Sequence, residues 1–401
     1  MLTLLPLFTF ALLSESCIPE VSPIDPPAAA IERFARRGTT ILEADAGTDS
    51  LPPLPRHEDG TVDRDRIVQT LREEMFGTVP PLQVTSAIAP PQPVEVGPPG
   101  STVRVVTLTI NGDVAASQCD LLLFEPPGDG PHDCFVFLDH RSVTADSDAA
   151  RQAIVDGRLN ANHDDDYWDV PRILGAGFAT IAVPVLPIAP DVRSRDFNDG
   201  IHALVSGPRD PNWSALAAWA WGMSQARAAI ASDPSIGRCL AIGHSRGGKT
   251  ALWAAASDAE FAGAVSNNSG CGGAAVSRRR IGETVAVINR TFPHWFNTQF
   301  QTYNDRESVL PHDQHWLLAA IAPRPLAIGS AGSDYWADPV GEWVSLCEAS
   351  PAWADIELGT MPAVGEVRSS GPLQYHLRPG EHGLTAADWD RYFDWATRTG
   401  D

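Results

Sequence analysis

Short apolar runs alternate with longer helical runs along most of this chain. The runs CFVFLDH, FATIAVPV, CLAIGHS, GAVSN, PLAIGSAGSD and LQYHL carry almost no charge and have the length of buried strands. SALAAWAWGMSQARAAIAS and GGKTALWAAAS lie between them, and TAADWDRYFDWATR follows the last; all three are long enough for helices. Strands covered by helices on both faces are apolar throughout. This pattern therefore predicts an α/β fold with a mostly parallel central sheet in three layers.

The region before residue 103 has a different pattern. DRDRIVQTLREEMFG places Ile67, Leu71 and Met75 on one face of a predicted helix. Residues 80–100 are dense in proline and are expected to form a connector. VRVVTLTI and CDLLLFEP then predict the first two strands.

The N-terminus begins with an apolar run, LTLLPLFTFALL at residues 2–13. This run has the length of the apolar core of an export signal and is too short to span a bilayer. Residues 1–17 are therefore expected to be a signal peptide for secretion or export to the periplasm, with a lipoprotein anchored through Cys17 as an alternative. Residues 18–60 are expected to wrap the surface as an extension, and residues 61–401 to form one domain.

Acidic residues outnumber basic ones by 50 to 29, which gives a formal net charge of −21. This balance argues against a nucleic-acid binder, because neutralising phosphates needs clustered lysine and arginine. The run Arg278–Arg280 is isolated and is expected to be a solvated or salt-bridged surface. The 6 cysteines are scattered without metal-ligand spacing, so we expect neither a disulfide framework nor a metal site.

The segment AIGHSRGGKT, residues 241–250, contains a G-x-S-x-G motif centred on Ser245. A predicted strand leads into the motif and a predicted helix leads out. A turn this tight strains the serine backbone and holds its hydroxyl above the sheet, at a helix N-terminus that can stabilise an oxyanion. Ser245 is therefore predicted to be a nucleophile.

A nucleophilic serine needs a base, and that base needs an acid to orient it. In folds with this turn, the acid and then the histidine follow the serine in loops after later strands. His382 fits the base, because it lies just beyond LQYHL, whereas the rival His376 lies inside that strand. Asp334 is the first carboxylate after PLAIGSAGS and is the predicted acid, while Asp338 precedes a proline and is expected to cap or brace the loop.

Several long segments resemble the bacterial glucuronoyl esterases of carbohydrate esterase family 15, which are α/β-hydrolases. They are GHSRGGKTALWAAASDAEFAGAVSNNSGCGGAA, WSALAAWAWGMSQA, FPHWF, LPHDQHWLLAAIAPRPLAI and SDYWADPVGEW. The resemblance extends from about residue 60 to the C-terminus. It implies hydrolysis of the ester that joins a glucuronic or 4-O-methyl-glucuronic acid branch of xylan to a lignin alcohol.

The resemblance also implies roles for four further residues. Arg246 occupies the place of an arginine that assists the oxyanion hole. Lys249 matches a lysine that binds sugar hydroxyls, and it is the only lysine among the 29 lysine and arginine residues. A compact ammonium with three donors suits sugar hydroxyls. Glu283 and Trp336 match a pocket glutamate and a pocket tryptophan.

The sequence departs from the family pattern in two places. Some members carry the triad acid after the strand that follows the nucleophile, where this chain has Asn268, which cannot carry charge. This departure favours Asp334. The loop at residues 138–148 also lacks the expected asparagine and glycine, which leaves the substrate range open.

The sequence thus predicts a single-domain α/β-hydrolase that cleaves carboxylic esters through an acyl-enzyme, with no metal or organic cofactor and as a monomer. The expected partner is glucuronoxylan or a lignin–carbohydrate ester. Another carbohydrate esterase, acting on acetyl or feruloyl groups of xylan, remains an alternative. A catalytically inactive binding protein with the same fold is a further alternative.

Overall fold

This computed structural model describes residues 51–140, 167–354 and 356–400. The predictions for the signal peptide, for Cys17 and for most of the extension and of the 138–148 loop lie outside the described residues. The strands are β1 Gln83–Ile88, β2 Gln92–Pro93, β3 Thr102–Asn111, β4 Ala116–Glu125, β5 His132–Asp139, β6 Ala179–Pro184, β7 Ile236–His244, β8 Gly263–Asn267, β9 Leu326–Ala331, β10 Val367–Ser370 and β11 Leu373–Arg378. The helices are α1 Arg64–Leu71, α2 Val170–Gly175, α3 Val185–Ile188, α4 Ala215–Ile230, α5 Arg246–Ser257, α6 Val285–Thr291, α7 Thr298–Gln301, α8 Gln314–Ala319, α9 Pro339–Ala349 and α10 Ala386–Arg398.

The strands form one sheet in the order β1-β3-β4-β6-β5-β7-β8-β9-β11-β10, with β2 paired to β3. The strands from β6 to β11 in this order run parallel. β1, β3 and β4 extend one edge of the sheet antiparallel, and β10 extends the other. Because the central strands are parallel, their carboxyl ends all lie on the same side of the sheet. The loops that follow β7, β9 and β11 come together there.

Both faces of the sheet are buried at its central parallel strands. On β5, Val136 and Leu138 belong to one apolar cluster, which includes side chains of α4 and α5. Phe135 and Phe137 alternate with them and belong to the other cluster, which includes side chains of α2 and α10. This arrangement explains why β5 is a continuous apolar run and confirms the predicted α/β fold.

The connector predicted at residues 80–100 is wrong in part, because this region contains β1 and β2. β1 pairs antiparallel with β3 along its whole length. Its residues are mostly exposed, so the apolar alternation that would reveal a strand is missing. The prolines of residues 80–100 lie outside β1, and an edge strand tolerates flanking prolines.

Two further predictions concern buried charge and the first helix. Ile67, Leu71 and Met75 are fully buried as expected, although the α-helix ends at Leu71 and continues as a π turn to Phe76. For Arg278 and Arg279, the salt-bridged alternative predicted for Arg278–Arg280 is confirmed, whereas a solvated surface is wrong. Their side chains are buried in ion pairs with aspartates, which satisfies the charges that burial would otherwise leave unpaired.

Candidate active site

Ser245 lies on the turn between β7 and α5, with φ 56° and ψ −120°. These angles are outside the regions that non-glycine residues ordinarily occupy, and such strain is concentrated at functional sites. The turn is so tight that a Cβ on Gly243 would lie 2.2 Å from the backbone of Gly247. The N–H of Ser245 donates to the carbonyl oxygen of Asn267, 2.8 Å away, which ties the turn to β8.

His382 and Asp334 form a hydrogen-bonded pair, as predicted for the base and the acid. His382 Nδ1 lies 2.6 Å from Asp334 Oδ2, and the two residues follow β11 and β9. Asp334 is buried, whereas the side chain of His382 is 42% exposed. Because Nδ1 is bound to Asp334, Nε2 is the nitrogen left to accept a proton from Ser245. In this structure the described residues show no hydrogen bond between Ser245 Oγ and His382.

Two contacts place this pair beside the serine turn. The side-chain amide of Asn268, directly after β8, donates to Asp334 Oδ2 over 2.8 Å. The ring of His244, next to Ser245, lies 4.6 Å from the ring of His382 between centroids. Burial would raise the pKa of Asp334, but the charge and hydrogen bond of His382 and the bond from Asn268 together lower it below its usual value.

The rival candidates have other partners. His376 is buried in β11 and pairs with Asp388, with 2.7 Å between Nε2 and Oδ1. Asp338 accepts a hydrogen bond from the N–H of Gly341 at the start of α9 and forms a buried ion pair with Arg279. The prediction that Asp338 caps its loop is therefore confirmed.

Lys249 is buried on α5 and is held by backbone. Its ammonium donates to the carbonyl oxygens of Ser269 and Cys271, the latter 2.6 Å away. Its Nζ also lies 3.8 Å from Glu283 Oε2. The lysine therefore fixes the loop after β8, and Glu283 is the nearest charge to its remaining donor.

Glu283 and Trp336 are joined through their backbones, because the N–H of Glu283 donates to the carbonyl oxygen of Trp336 over 3.0 Å. Trp336 is only half-buried. Burial raises the pKa of Glu283, while the charges of Lys249, of His382 when it is protonated and of Arg246 oppose that rise. Glu283 thus lies within electrostatic reach of four predicted site residues, since Asp334 also acts on it.

Arg246 is held by a carboxylate that the sequence did not reveal. Its Nη1 donates to Oδ2 of Asp191, which lies beyond α3. Asp191 Oδ1 accepts from His294 Nε2 at 2.7 Å and from Trp295 Nε1 at 2.8 Å. Burial would raise the pKa of Asp191, but the hydrogen bond of His294 and the charge of Arg246 lower it to about 2.

The described part of the chain contains no group of three or more histidine, cysteine, aspartate and glutamate residues that could hold a metal ion. It likewise contains no helix long and apolar enough to cross a bilayer. Cys134, Cys239, Cys271 and Cys347 are free thiols.

A serine on a strained strand-to-helix turn, with a carboxylate–imidazole pair in the loops of later parallel strands, defines an α/β-hydrolase with a serine-hydrolase site. The family model described as "Glucuronyl esterase, fungi" matches residues 168–356. A glucuronoyl esterase from Solibacter usitatus is 32% identical, with a TM-score of 0.74, over 88% of this chain and 98% of that one. The chain belongs to carbohydrate esterase family 15, the glucuronoyl esterases.

Two further relatives agree. A promiscuous family 15 esterase from a marine bacterial metagenome is 32% identical, with a TM-score of 0.73, over 87% of this chain and 96% of that one. Carbohydrate esterase MZ0003, from an unknown prokaryotic organism, is 42% identical over 57% of this chain and 55% of that protein. The chain therefore spans about half the length of this curated relative.

Proposed function

We propose that this chain hydrolyses esters of glucuronic or 4-O-methyl-glucuronic acid, including those that join xylan branches to lignin alcohols. The observation that carries the proposal is the 2.6 Å hydrogen bond between His382 and Asp334 beside the strained Ser245 turn. It occurs in a chain that belongs to the glucuronoyl esterases. The curated relatives named 4-O-methyl-glucuronoyl methylesterase include one from Phanerochaete chrysosporium that is 36% identical over 32% of this chain.

In the proposed reaction, His382 Nε2 takes the proton of the Ser245 hydroxyl as Oγ attacks the ester carbon. The carbonyl electron pair moves to oxygen, and the tetrahedral intermediate collapses as His382 protonates the departing alcohol. Water, deprotonated by the same imidazole, then hydrolyses the acyl-enzyme. Asp334 orients the ring and stabilises its positive charge.

Binding of the acyl side is assigned to the remaining residues. Arg246 and backbone N–H groups at the start of α5 stabilise the oxyanion. Lys249, Glu283 and Trp336 hold the uronic acid ring, because an ammonium, a carboxylate and an aromatic face offer the donors, acceptor and apolar surface that a sugar needs. Specificity therefore depends on the acid part of the ester.

The test compares hydrolysis of benzyl glucuronate and p-nitrophenyl acetate by the wild type, Ser245→Ala, Lys249→Ala and Glu283→Gln. We expect the wild type to prefer the glucuronate ester. Ser245→Ala should lose turnover on both esters by roughly 10³-fold or more. The two pocket variants should lose mainly the glucuronate preference.

Other outcomes would separate the alternatives. Strong cleavage of the acetyl ester with little cleavage of the glucuronate ester would keep the triad and overturn the substrate. Full activity of Ser245→Ala on either ester would overturn the nucleophile. Glu283→Gln matches its parent in size, so it controls for any collapse of the loop that Lys249 binds.

We also infer that the protein acts outside the cytoplasm, because its proposed polymeric substrate does not cross a membrane. The monomer stays a prediction. The apolar run at residues 2–13 supports export. Cell fractionation and size-exclusion chromatography test these two statements. Recovery of full-length protein in the cytoplasm would contradict export, and elution as a dimer would contradict the monomer.

A further inference from the structure

Asp191 binds three donors that come from two different parts of the chain. Arg246 Nη1 binds one carboxylate oxygen, and His294 Nε2 and Trp295 Nε1 bind the other. His294 and Trp295 are themselves fixed, since their carbonyl oxygens accept hydrogen bonds from the first residues of α4. The carboxylate therefore has no freedom to follow the arginine if the arginine moves.

The guanidinium of Arg246 is also held by aromatic rings. Its Cζ lies 4.9 Å from the ring centroid of Trp295 and 5.6 Å from that of Phe292. These two rings stack on each other, with centroids 3.8 Å apart. Cation–π contacts of this kind favour a guanidinium that stays in place.

The Nε–H of Arg246 is a donor that the contact with Asp191 does not use. Within the described residues, its Nε–H is buried and has no hydrogen-bond partner. A buried unsatisfied donor costs roughly 1–3 kcal/mol, so such groups are rare unless a ligand completes them. The orphaned donor belongs to the residue that directly follows Ser245.

We propose that Asp191 is a positioning residue, which holds Arg246 so that its free Nε–H meets the oxyanion of the tetrahedral intermediate. This inference rests on the proposed ester hydrolysis. Asp191 takes no part in proton transfer and touches no reacting atom. It binds Nη1 of the guanidinium, and the Nε–H is left to bind the oxyanion.

The test is a double-mutant cycle with Asp191→Asn, Arg246→Ala and the double variant, measured on whichever of the two esters the wild type cleaves better. A misplacement of about 1 Å can reduce turnover by about 10²-fold. We expect Asp191→Asn to lower kcat by roughly that factor with little change in KM. The double variant should be no slower than Arg246→Ala alone, because Asp191 acts only through the arginine.

The chain offers a matched control near the amino ends of the parallel strands, away from the site. Glu125 is a buried carboxylate that accepts from Arg104 and from Ser235, at the end of β4. Glu125→Gln should lower the melting temperature and leave kcat unchanged. Asp191→Glu retains the charge and provides a second variant if Asp191→Asn does not fold.

Two outcomes would overturn the inference. In the first, the fold-loss in kcat of the double variant equals the product of the two single losses. In the second, Asp191→Asn has wild-type kcat. Hydrolysis of only the acetyl ester would overturn the proposed substrate while the cycle still tests Asp191. A wild type that cleaves neither ester would overturn the proposed function and the role of Asp191 with it.

Discussion

Asp334 is buried and Asp191 is largely buried, and the two carboxylates perform similar physical tasks in two regions of the site. Asp334 binds the imidazole of His382, and Asp191 binds the guanidinium of Arg246. The pKa of both lies below the usual value, because neighbouring charges and hydrogen bonds overcome burial. The two partners differ, since an imidazole changes its charge near neutral pH and a guanidinium does not.

This difference predicts unequal consequences of neutralising each aspartate. In the proposed reaction, the positive charge on His382 appears only as Ser245 attacks, so Asp334 stabilises the transition state more than the ground state. Arg246 is charged throughout, so Asp191 contributes through geometry alone. Two similar ion pairs can therefore differ in their effect on kcat. The difference depends on whether the cation becomes charged in the transition state or is charged throughout.

The largest expected effect is that of Asp334→Asn. An asparagine cannot stabilise the charged ring and favours the wrong tautomer, so kcat should fall by about 10³- to 10⁴-fold. Stopped-flow or steady-state assays on benzyl glucuronate measure this loss. Asp338→Asn is the control in the same loop, and we expect it to lower stability without lowering kcat. A larger loss in Asp338→Asn than in Asp334→Asn would reverse the assignment of the acid.

Arg246→Lys should have the next largest effect. Lysine keeps the positive charge but lacks the Nε–H and the planar fork, so a loss of about 10²-fold in kcat is expected. Thermal melting checks that the variant is folded. Near wild-type turnover would mean that the charge alone stabilises the oxyanion, and the comparison with Asp334 would lose its basis.

The two regions also differ in how well the sequence predicted them. Ser245, Asp334 and His382 were predictable because a turn motif fixes the serine and chain order fixes the other two. The loops that carry them come together because the parallel sheet brings the ends of β7, β9 and β11 to one side. The fold and the positions of the three predicted residues are thus both consequences of a regular pattern.

Asp191 could not be predicted in this way. It lies in an irregular segment after α3, and its partners are 55 and more residues away along the chain. No motif or periodicity links such positions, so only the folded structure brings them together. The edge strand β1 was missed for a related reason, because its exposed residues carry no apolar pattern.

A smaller effect is expected for Asn268→Gly. Asn268 adopts a positive φ of 46°, which glycine tolerates, so this change removes the amide without adding strain. The lost hydrogen bond to Asp334 is worth about 1–2 kcal/mol, which corresponds to roughly a tenfold fall in kcat. An unchanged kcat would show that His382 and the N–H of Ala337 suffice to hold Asp334.

The smallest effect on turnover is expected for Glu342→Gln, which tests a third buried carboxylate that has no cation partner among the described residues. Glu342 lies on α9 and accepts hydrogen bonds from Ser330, Ser269 and the N–H of Gly270. Burial raises its pKa to about 7, against the opposing effect of the bonds from Ser330 and Gly270. Its role is therefore expected to be structural.

The raised pKa of Glu342 has a consequence for stability. Between its unfolded value of 4.5 and about 7, the folded protein keeps a proton that the unfolded chain releases. The free energy of unfolding should therefore be greatest below pH 4.5 as far as this group is concerned, and fall as the pH rises to 7 by up to roughly 3 kcal/mol. Glutamine resembles the protonated acid, so Glu342→Gln should remove this fall. Urea unfolding at pH 5 and pH 8 measures it, and an equal fall in both proteins would mean that Glu342 is ionised in the folded state. That result would add a third charged carboxylate to the comparison, stabilised by hydroxyl and amide donors alone.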